Sequence, residues 1–219
     1  MRIGAISDIH GNKPAFEAVF ADMPDVDLLL CAGDVVGYNP WPRESVREIR
    51  RREIPTVQGN HDRAVASGAS FRFNELARSG VEFARERLSD DDRQWLDALP
   101  TERTVAAGRV KIVHGHPADP DRYTMPADFS ATMLGDEELL VLGHTHVQHH
   151  EIYDDGIIVN PGSVGQPRDG DPRAGYAIID LENGSVEERR VAYDIEAVCR
   201  EIEAVGLPAT LGNRLRRGQ

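Results

Sequence analysis

The chain has 219 residues, 40% of them hydrophobic and 28% charged, which is enough for one well-buried domain over 1–219 and short for two. A formal net charge of −12 argues against a protein built to grip nucleic acid, which needs basic surface, so no stable nucleic-acid binding is expected. No run approaches the ~18 apolar residues of a membrane span, no signal-peptide pattern opens the chain, and Cys31 and Cys199 stand far apart; the expectation is a reduced, cytoplasmic protein with no membrane partner.

Ile3 to Ser7 is an apolar run of strand length. Asn12 follows as the cap of a helix whose Ala15, Phe16, Val19 and Phe20 share one face, and Pro24 ends it. Asp27 to Ala32 is a nearly all-apolar strand of the kind buried on both faces. A helix near Glu44 to Arg52 precedes a third strand at Ile54 to Val57, and this alternation predicts a largely parallel first sheet. Phe73 to Leu99 is helical, burying Trp95, Leu96 and Leu99, with Asp90-Asp91-Asp92 at a helix N-terminus.

After Pro100 the period changes to that of strands. Thr101 to Ala106, Arg109 to Val113, Leu139 to Leu142, Val147 to Tyr153 and Ile157 to Val159 follow one another, with Asp155-Gly156 as a hairpin turn. Tyr176 to Leu181 and Ser185 to Tyr193 form a last hairpin across Asn183-Gly184, and Asp194 caps a closing helix facing Ile195, Val198 and Ile202 inward. The arrangement predicts an α/β fold of two packed sheets with helices outside.

Chemistry-bearing residues fall at the predicted strand ends. Asp8 and His10 are two apart, as are His144 and His146, and a period of two puts each pair on one side of an extended segment. Asp34 follows Gly33 and has two oxygens with which to bridge two cations. Asn60 adds an amide oxygen, His114 a nitrogen, and His61 is a spare histidine beside Asp62. Each piece alone has an ordinary reading as a turn or cap; together they make a ligand set for two ions. Imidazole, carboxylate and amide in this mixture suit Mn, Fe, Zn or Ni better than Ca or Mg.

Outside that set, Arg168 is a candidate for pairing with a substrate phosphate, or a structural arginine. Tyr38 and Trp41 are candidates for stacking on a nucleobase, or simply for packing a loop. His116 could line the cleft, and His149-His150 reads as a solvated pair on a strand.

The order Asp8-x-His10, Gly33-Asp34, Gly59-Asn60-His61-Asp62, His114, Gly143-His144-x-His146 resembles the calcineurin-like metallophosphoesterase superfamily. Gly33 to Tyr38 and Asn160 to Arg168 are similar to signatures of a small prokaryotic branch related to YfcE-type phosphodiesterases, from which Asn39 and His116 depart. The resemblance implies a four-layer αββα sandwich of two mixed sheets with a dinuclear site at strand ends. It implies one ion on Asp8, His10, Asp34 and His146, and another on Asp34, Asn60, His114 and His144. Two divalent transition-metal ions, Mn first, would activate a water against a small phosphodiester or nucleotide, with His61 as general acid and Asp62 orienting its ring. Diesters are expected over monoesters because no second cationic cluster is evident.

Three rivals accompany that expectation. A protein or small-molecule phosphomonoesterase would use the same core. A non-catalytic scaffold of the retromer-subunit kind would not need His61 and a full ligand set. A DNA nuclease would want basic surface or further domains.

Overall fold

The computed structural model describes residues 1–69 and 73–219. The first sheet holds β1 (Arg2–Ile6), β2 (Leu28–Cys31), β8 (Ala174–Asp180) and β9 (Ser185–Val191) in the order β2-β1-β8-β9. The second holds β3 (Glu102–Val105), β4 (Val110–Val113), β5 (Leu139–Val141), β6 (Gln148–Tyr153) and β7 (Gly156–Pro161) in the order β3-β4-β5-β7-β6. Both sheets are mixed.

The pleat sorts side chains into layers. Ile3, Ala5, Ala177 and Ile179 face Ile112, Leu139, Val141, Ile157 and Val159 across the space between the sheets. On the other face of the first sheet, Ile6, Tyr176 and Ile178 meet α1 (Lys13–Asp22) and α2 (Pro42–Arg51) through Phe16, Val19, Val46 and Ile49. On the far face of the second sheet, Val113, Leu140, Leu142 and Ile158 are covered by Phe129, Met133, Leu134 and Tyr153. The helical cover there consists of two 3-10 turns, Pro126–Asp128 and Ala131–Met133.

Local signals in the sequence match local structure closely. Asn12 Oδ1 accepts from the Ala15 amide at the start of α1, and Asp194 Oδ1 from the Ala197 amide at the start of α6 (Ile195–Ala204). Ser89 and Asp92 close a capping box ahead of α5 (Asp90–Asp97).

Three expectations need correction. Ile54 to Val57 is not a strand: a single parallel bridge joins Thr56 to Cys31. Pro55 has no amide to donate, and the Gln58 amide turns away to the Pro100 carbonyl at 2.7 Å, so the ladder cannot extend. Second, the first sheet is not largely parallel. Only β1 and β2 pair that way, Ile3 opposite Leu28, while β8 lies antiparallel on β1 with Ile3 opposite Ile179. The terminal hairpin takes the open edge of β1 from a distance in sequence that no periodicity reports. Third, the chain continues past α6 into α7 (Ala209–Leu215), whose Leu211 and Leu215 join Val198 and Ile202 against Tyr38, Ala77 and Phe83.

β1 and β2 run parallel, as do β4, β5 and β7, and the loops leaving their C-terminal ends meet at one end of the molecule. Ligand crevices in α/β sheets form at such ends.

Candidate metal centre

Two groups of side chains converge there, Asp8, His10, Asp34 and His146 in one and Asp34, His114 and His144 in the other, each set of donor atoms within 4.8 Å. Asp34 belongs to both. All six are buried. Asn60 stands at the edge of the second group, its Oδ1 3.3 Å from His114 Nε2.

The backbone achieves this by a route the spacing did not foretell. Asp8, His10, Asp34, His144 and His146 all have positive φ, between 48° and 69°. They lie beyond the ends of β1, β2 and β5, so the side chains converge through left-handed turns and not through the alternation of an extended claw. Such conformations cost of order 1–3 kcal/mol each for non-glycine residues and persist where surrounding contacts impose them. The amide hydrogen bonds supply that constraint: Asp8 and His10 donate to the carbonyls of Gly33 and Asp34 at 2.9 Å each.

Imidazole orientation is set from behind. His10 Nδ1 lies 3.0 Å from the Val36 carbonyl, His114 Nδ1 2.7 Å from that of Ala32, and His146 Nδ1 2.6 Å from that of Gln166. Carbonyls only accept, so each Nδ1 carries a proton and each Nε2 is the nitrogen turned toward the centre. His144 is held the other way, Nε2 donating to the Asp121 carbonyl at 3.2 Å.

In the first group these nitrogens face one another. His10 Nε2 and His146 Nε2 are 3.1 Å apart, and Asp8 Oδ1, 3.1 Å from His146 Nε2, is buried without a hydrogen-bond donor. Converging acceptors around an orphaned carboxylate oxygen are what a cation satisfies, and the donor set of imidazoles and carboxylates fits a divalent transition metal. Asp34 Oδ2 lies 3.6 Å from His10 Nε2 and 3.4 Å from His114 Nε2, whereas Oδ1 accepts from the His61 amide at 2.8 Å. One oxygen therefore faces both groups, and the other is anchored by the protein.

That anchor comes from α3 (Asn60–Ser67), the element that the quartet Gly59-Asn60-His61-Asp62 opens. The quartet is a helix start and not a strand end. A Cβ on Gly59 would stand 2.0 Å from Asp34 Oδ1, so only glycine lets the helix N-terminus reach that carboxylate. Burial would raise the Asp34 pKa, but His114 and its other charged neighbours outweigh it and keep the group well below the carboxylate range. The same charges act on His114: burial opposes protonation, and Asp34 and Asp8 overcome it, raising the imidazole to about 10. His146 falls to about 3 through burial and the charge of Arg168.

Asp62 does not orient His61. Its oxygens accept from the Gly59 amide at 3.0 Å and the Val36 amide at 3.2 Å, closing the cap of α3 and tying it to the loop after Asp34. The His61 ring is held instead by stacking on Phe73 at 4.7 Å and by contact with Tyr38 at 4.6 Å and His10 at 4.7 Å. Gly37 backs it so closely that a Cβ would stand 2.5 Å from His61 Nδ1, a buried atom with no partner among the described residues. Burial pushes His61 well below the ordinary imidazole range, which favours the neutral ring.

Tyr38 is buried and cannot stack on a nucleobase; its hydroxyl receives Arg168 Nη2 at 3.1 Å. Trp41 packs against the α6–α7 layer. His116 accepts from the Ala118 amide within its own turn, and Asn39 donates to the Gly165 carbonyl to join two loops. His149 and His150 pair with Glu151 and Glu188. Sequence reasoning missed Tyr123, whose ring lies tilted against His144 with centres 3.9 Å apart, and Arg214, whose guanidinium lies 5.7 Å from the Tyr38 ring centre. Neither carries a local signal: Tyr123 sits in an aperiodic connection, and Arg214 resembles any basic residue of a last helical turn. A recess of about 530 Å³ opens beside the second group, lined by Asn60, Arg63, Phe73, Asp121, Tyr123 and His144.

Two face-packed sheets with helices outside and a carboxylate shared between two buried metal-binding groups at strand ends define a dinuclear-metal phosphoesterase. The family model for the calcineurin-like phosphoesterase superfamily domain matches residues 1–184, and the chain belongs to that superfamily. It is 34% identical to an uncharacterised protein of Methanocaldococcus jannaschii over 239 aligned positions, covering 99% of this chain and 98% of that one. It is 30% identical to the phosphodiesterase YfcE of Escherichia coli, over 85% of this chain and 91% of that protein. The crystal structure of a metallophosphoesterase from Sphaerobacter thermophilus superposes with a TM-score of 0.88 at 36% identity, covering 100% of this chain and 99% of that one. Among the described residues no helix is long and apolar enough to cross a membrane.

Proposed function

We propose that residues 1–219 work as one catalytic domain that hydrolyses a small phosphodiester or nucleotide with two divalent transition-metal ions, Mn before Fe, Zn or Ni. The observation that carries this reading is Asp34 Oδ2, set between the two groups while Oδ1 is held by α3. Asp8, His10, Asp34 and His146 would hold one ion, and Asp34, Asn60, His114 and His144 the other. When bound, such ions polarise the phosphate oxygens and acidify a water. The protein's own part is to hold those donors rigidly, and to place His61 as proton donor to the leaving oxygen. His61 works from a buried, neutral ring until an anionic phosphate beside it favours the charged form.

The diester preference now rests on different support. Its original premise, the lack of a second cationic cluster, fails, because Arg168 and Arg214 both lie against Tyr38. The likeness to the E. coli phosphodiesterase supports it instead, along with the YfcE-like branch.

The test is to strip the protein with chelator, reload it with single metals, and assay aryl diesters, aryl monoesters, cyclic nucleotides and phosphopeptides. Chelation should abolish activity and Mn²⁺ should restore it better than Mg²⁺. Asp34→Asn should lose both ions together. Equal activity with Mg²⁺ alone, or one ion retained at full occupancy in Asp34→Asn, overturns the reading.

A further inference from the structure

Three carbonyls hold the Nδ1 atoms of His10, His114 and His146, and the residues that carry them are secured in different ways. Ala32 is secured by the first sheet, its amide donating to the Ile6 carbonyl at 2.9 Å. Val36 is secured by the cap of α3, its amide donating to Asp62 Oδ1 at 3.2 Å. Gln166, whose carbonyl lies 2.6 Å from His146 Nδ1, stands in the loop between β7 and β8 and has neither support. The next residue is Pro167, which brings no amide, so no hydrogen bond holds that peptide group from its nitrogen side. Its orientation has to come from Gln166 and what Gln166 touches.

Two contacts supply it. The Gln166 amide donates to Ser163 Oγ at 2.8 Å, and that hydroxyl donates in turn to the Asp8 carbonyl at 2.7 Å. A hydroxyl has one proton to give and lone pairs to receive, and here both capacities are used. Ser163 is buried, so a single oxygen joins the backbone of one ligand, Asp8, to the residue that orients another, His146. On the other side, the buried Gln166 side chain extends Nε2 to the Gln219 carbonyl at 3.1 Å. The segment after α7 is itself tied down: Arg214 Nε donates to the same Gln219 carbonyl at 2.9 Å, and the Gly170 amide to the Gly218 carbonyl at 3.0 Å. The loop around Gln166 is thus gripped between the turn after β1 and a segment beyond residue 184, where the family model's match ends.

We propose that Ser163 and Gln166 are positioning residues for the ion assigned to Asp8, His10, Asp34 and His146, Ser163 by tying the Asp8 backbone to Gln166, and Gln166 by tying the loop to the segment after α7. The inference deepens the phosphoesterase reading and rests on that ligand set. Both residues act through the His146 tautomer. Asp8 Oδ1 lies 3.1 Å from His146 Nε2, and the Gln166 carbonyl 2.6 Å from Nδ1, so two acceptors compete for the one proton of the neutral ring. A carbonyl held in place keeps the proton on Nδ1 and leaves the Nε2 lone pair for a cation. A carbonyl free to swing away yields the proton to the Asp8 side, and a protonated Nε2 cannot ligate. The other group has its own supports, His114 on the Ala32 carbonyl and His144 on the Asp121 carbonyl, so the effect is confined to one ion.

The experiment records imidazole nitrogen signals by NMR in the full-length, metal-free protein with isotope-labelled histidine, for wild type, Ser163→Ala and Gln166→Met. Methionine fills much the same space as glutamine and lacks its donor. Wild-type His146 should show the Nδ1–H tautomer, and each variant should move it toward the Nε2–H form while His114 keeps its signals. In parallel, calorimetric titration with Mn²⁺ should show one of the two ions bound about tenfold or more weakly in each variant, the usual cost of a lost outer support, and the other retained. A wild-type Nε2–H tautomer overturns the proposal. So does a tautomer unmoved in both variants, or an equal loss of both ions, which marks a general loosening of the fold. Should Ser163→Ala fail to fold, Gln166→Met decides by itself. A wild type that binds no Mn²⁺ would sink the phosphoesterase reading, and the tautomer would still decide what Ser163 and Gln166 do to His146.

Discussion

His61 separates chemistry from coordination better than any other single side chain. It is buried at the junction of Tyr38, His10 and Phe73, yet it belongs to neither metal group. His61→Ala should keep both ions and lower kcat on substrates with poor alkoxide leaving groups by roughly 10²–10⁴-fold, the usual worth of general acid catalysis. On a nitrophenyl substrate, whose leaving anion needs no proton, the loss should shrink markedly. Metal analysis and the rate ratio on the two substrates decide it. Loss of metal would make His61 a ligand, and equal rate losses would assign it to phosphate binding. At this scale the donor residues were legible because several such pieces recur at predicted strand ends along one chain, although each alone reads as an ordinary turn or cap. The role of Asp62 was not: a carboxylate three residues past an N-cap looks the same in sequence whether it faces a ring or its own helix start.

Among the elements, α3 does the most to shape the centre, because its first turn carries Asn60 and His61 and its amide holds Asp34. Gly59→Ala should therefore act on metal and fold together. The added Cβ meets Asp34 Oδ1 at 2.0 Å and the Asp34 amide nitrogen at 2.4 Å, and neither is the flexible end of a side chain. A stability loss of about 1–3 kcal/mol by urea titration is expected for such overpacking, together with reduced metal content. Full metal occupancy in Gly59→Ala would show that α3 is not needed as an anchor. Helix caps and the hairpin turn across Asn183-Gly184 could be read from the sequence because their signals are local, and the Asp155-Gly156 signal found its hairpin one residue late, the turn itself being Asp154-Asp155. The bridge at Thr56 and the docking of β8 on β1 could not, since both depend on which distant backbone meets which edge.

For the molecule as a whole, metal would bind the buried donors that the fold brings together. Loading at a concentration ~100-fold above Kd should stabilise the fold by about 2.7 kcal/mol per site, or roughly 5–10 °C in Tm for a chain of this size. The pH dependence has a definite sign. His114, raised to about 10 in the metal-free protein, is protonated at neutral pH, and a metal requires its Nε2 lone pair. Binding must therefore expel that proton, and affinity should weaken by about tenfold for each unit the pH falls per proton displaced. Calorimetry at pH 7 in buffers of different protonation enthalpy measures the number released. A value of zero would contradict the protonated state assigned to His114.

The left-handed backbone at Asp8, His10, Asp34, His144 and His146 bears on how such a centre could be transplanted. A designer copying the ligand spacing onto regular strands of another sheet would obtain side chains on the right face aimed along the wrong vectors. What must be grafted is the set of turns, together with the second sheet and the α3 amide that hold them open. The transferable unit of this chemistry is a scaffold of strained loops, and the seven side chains are its cargo.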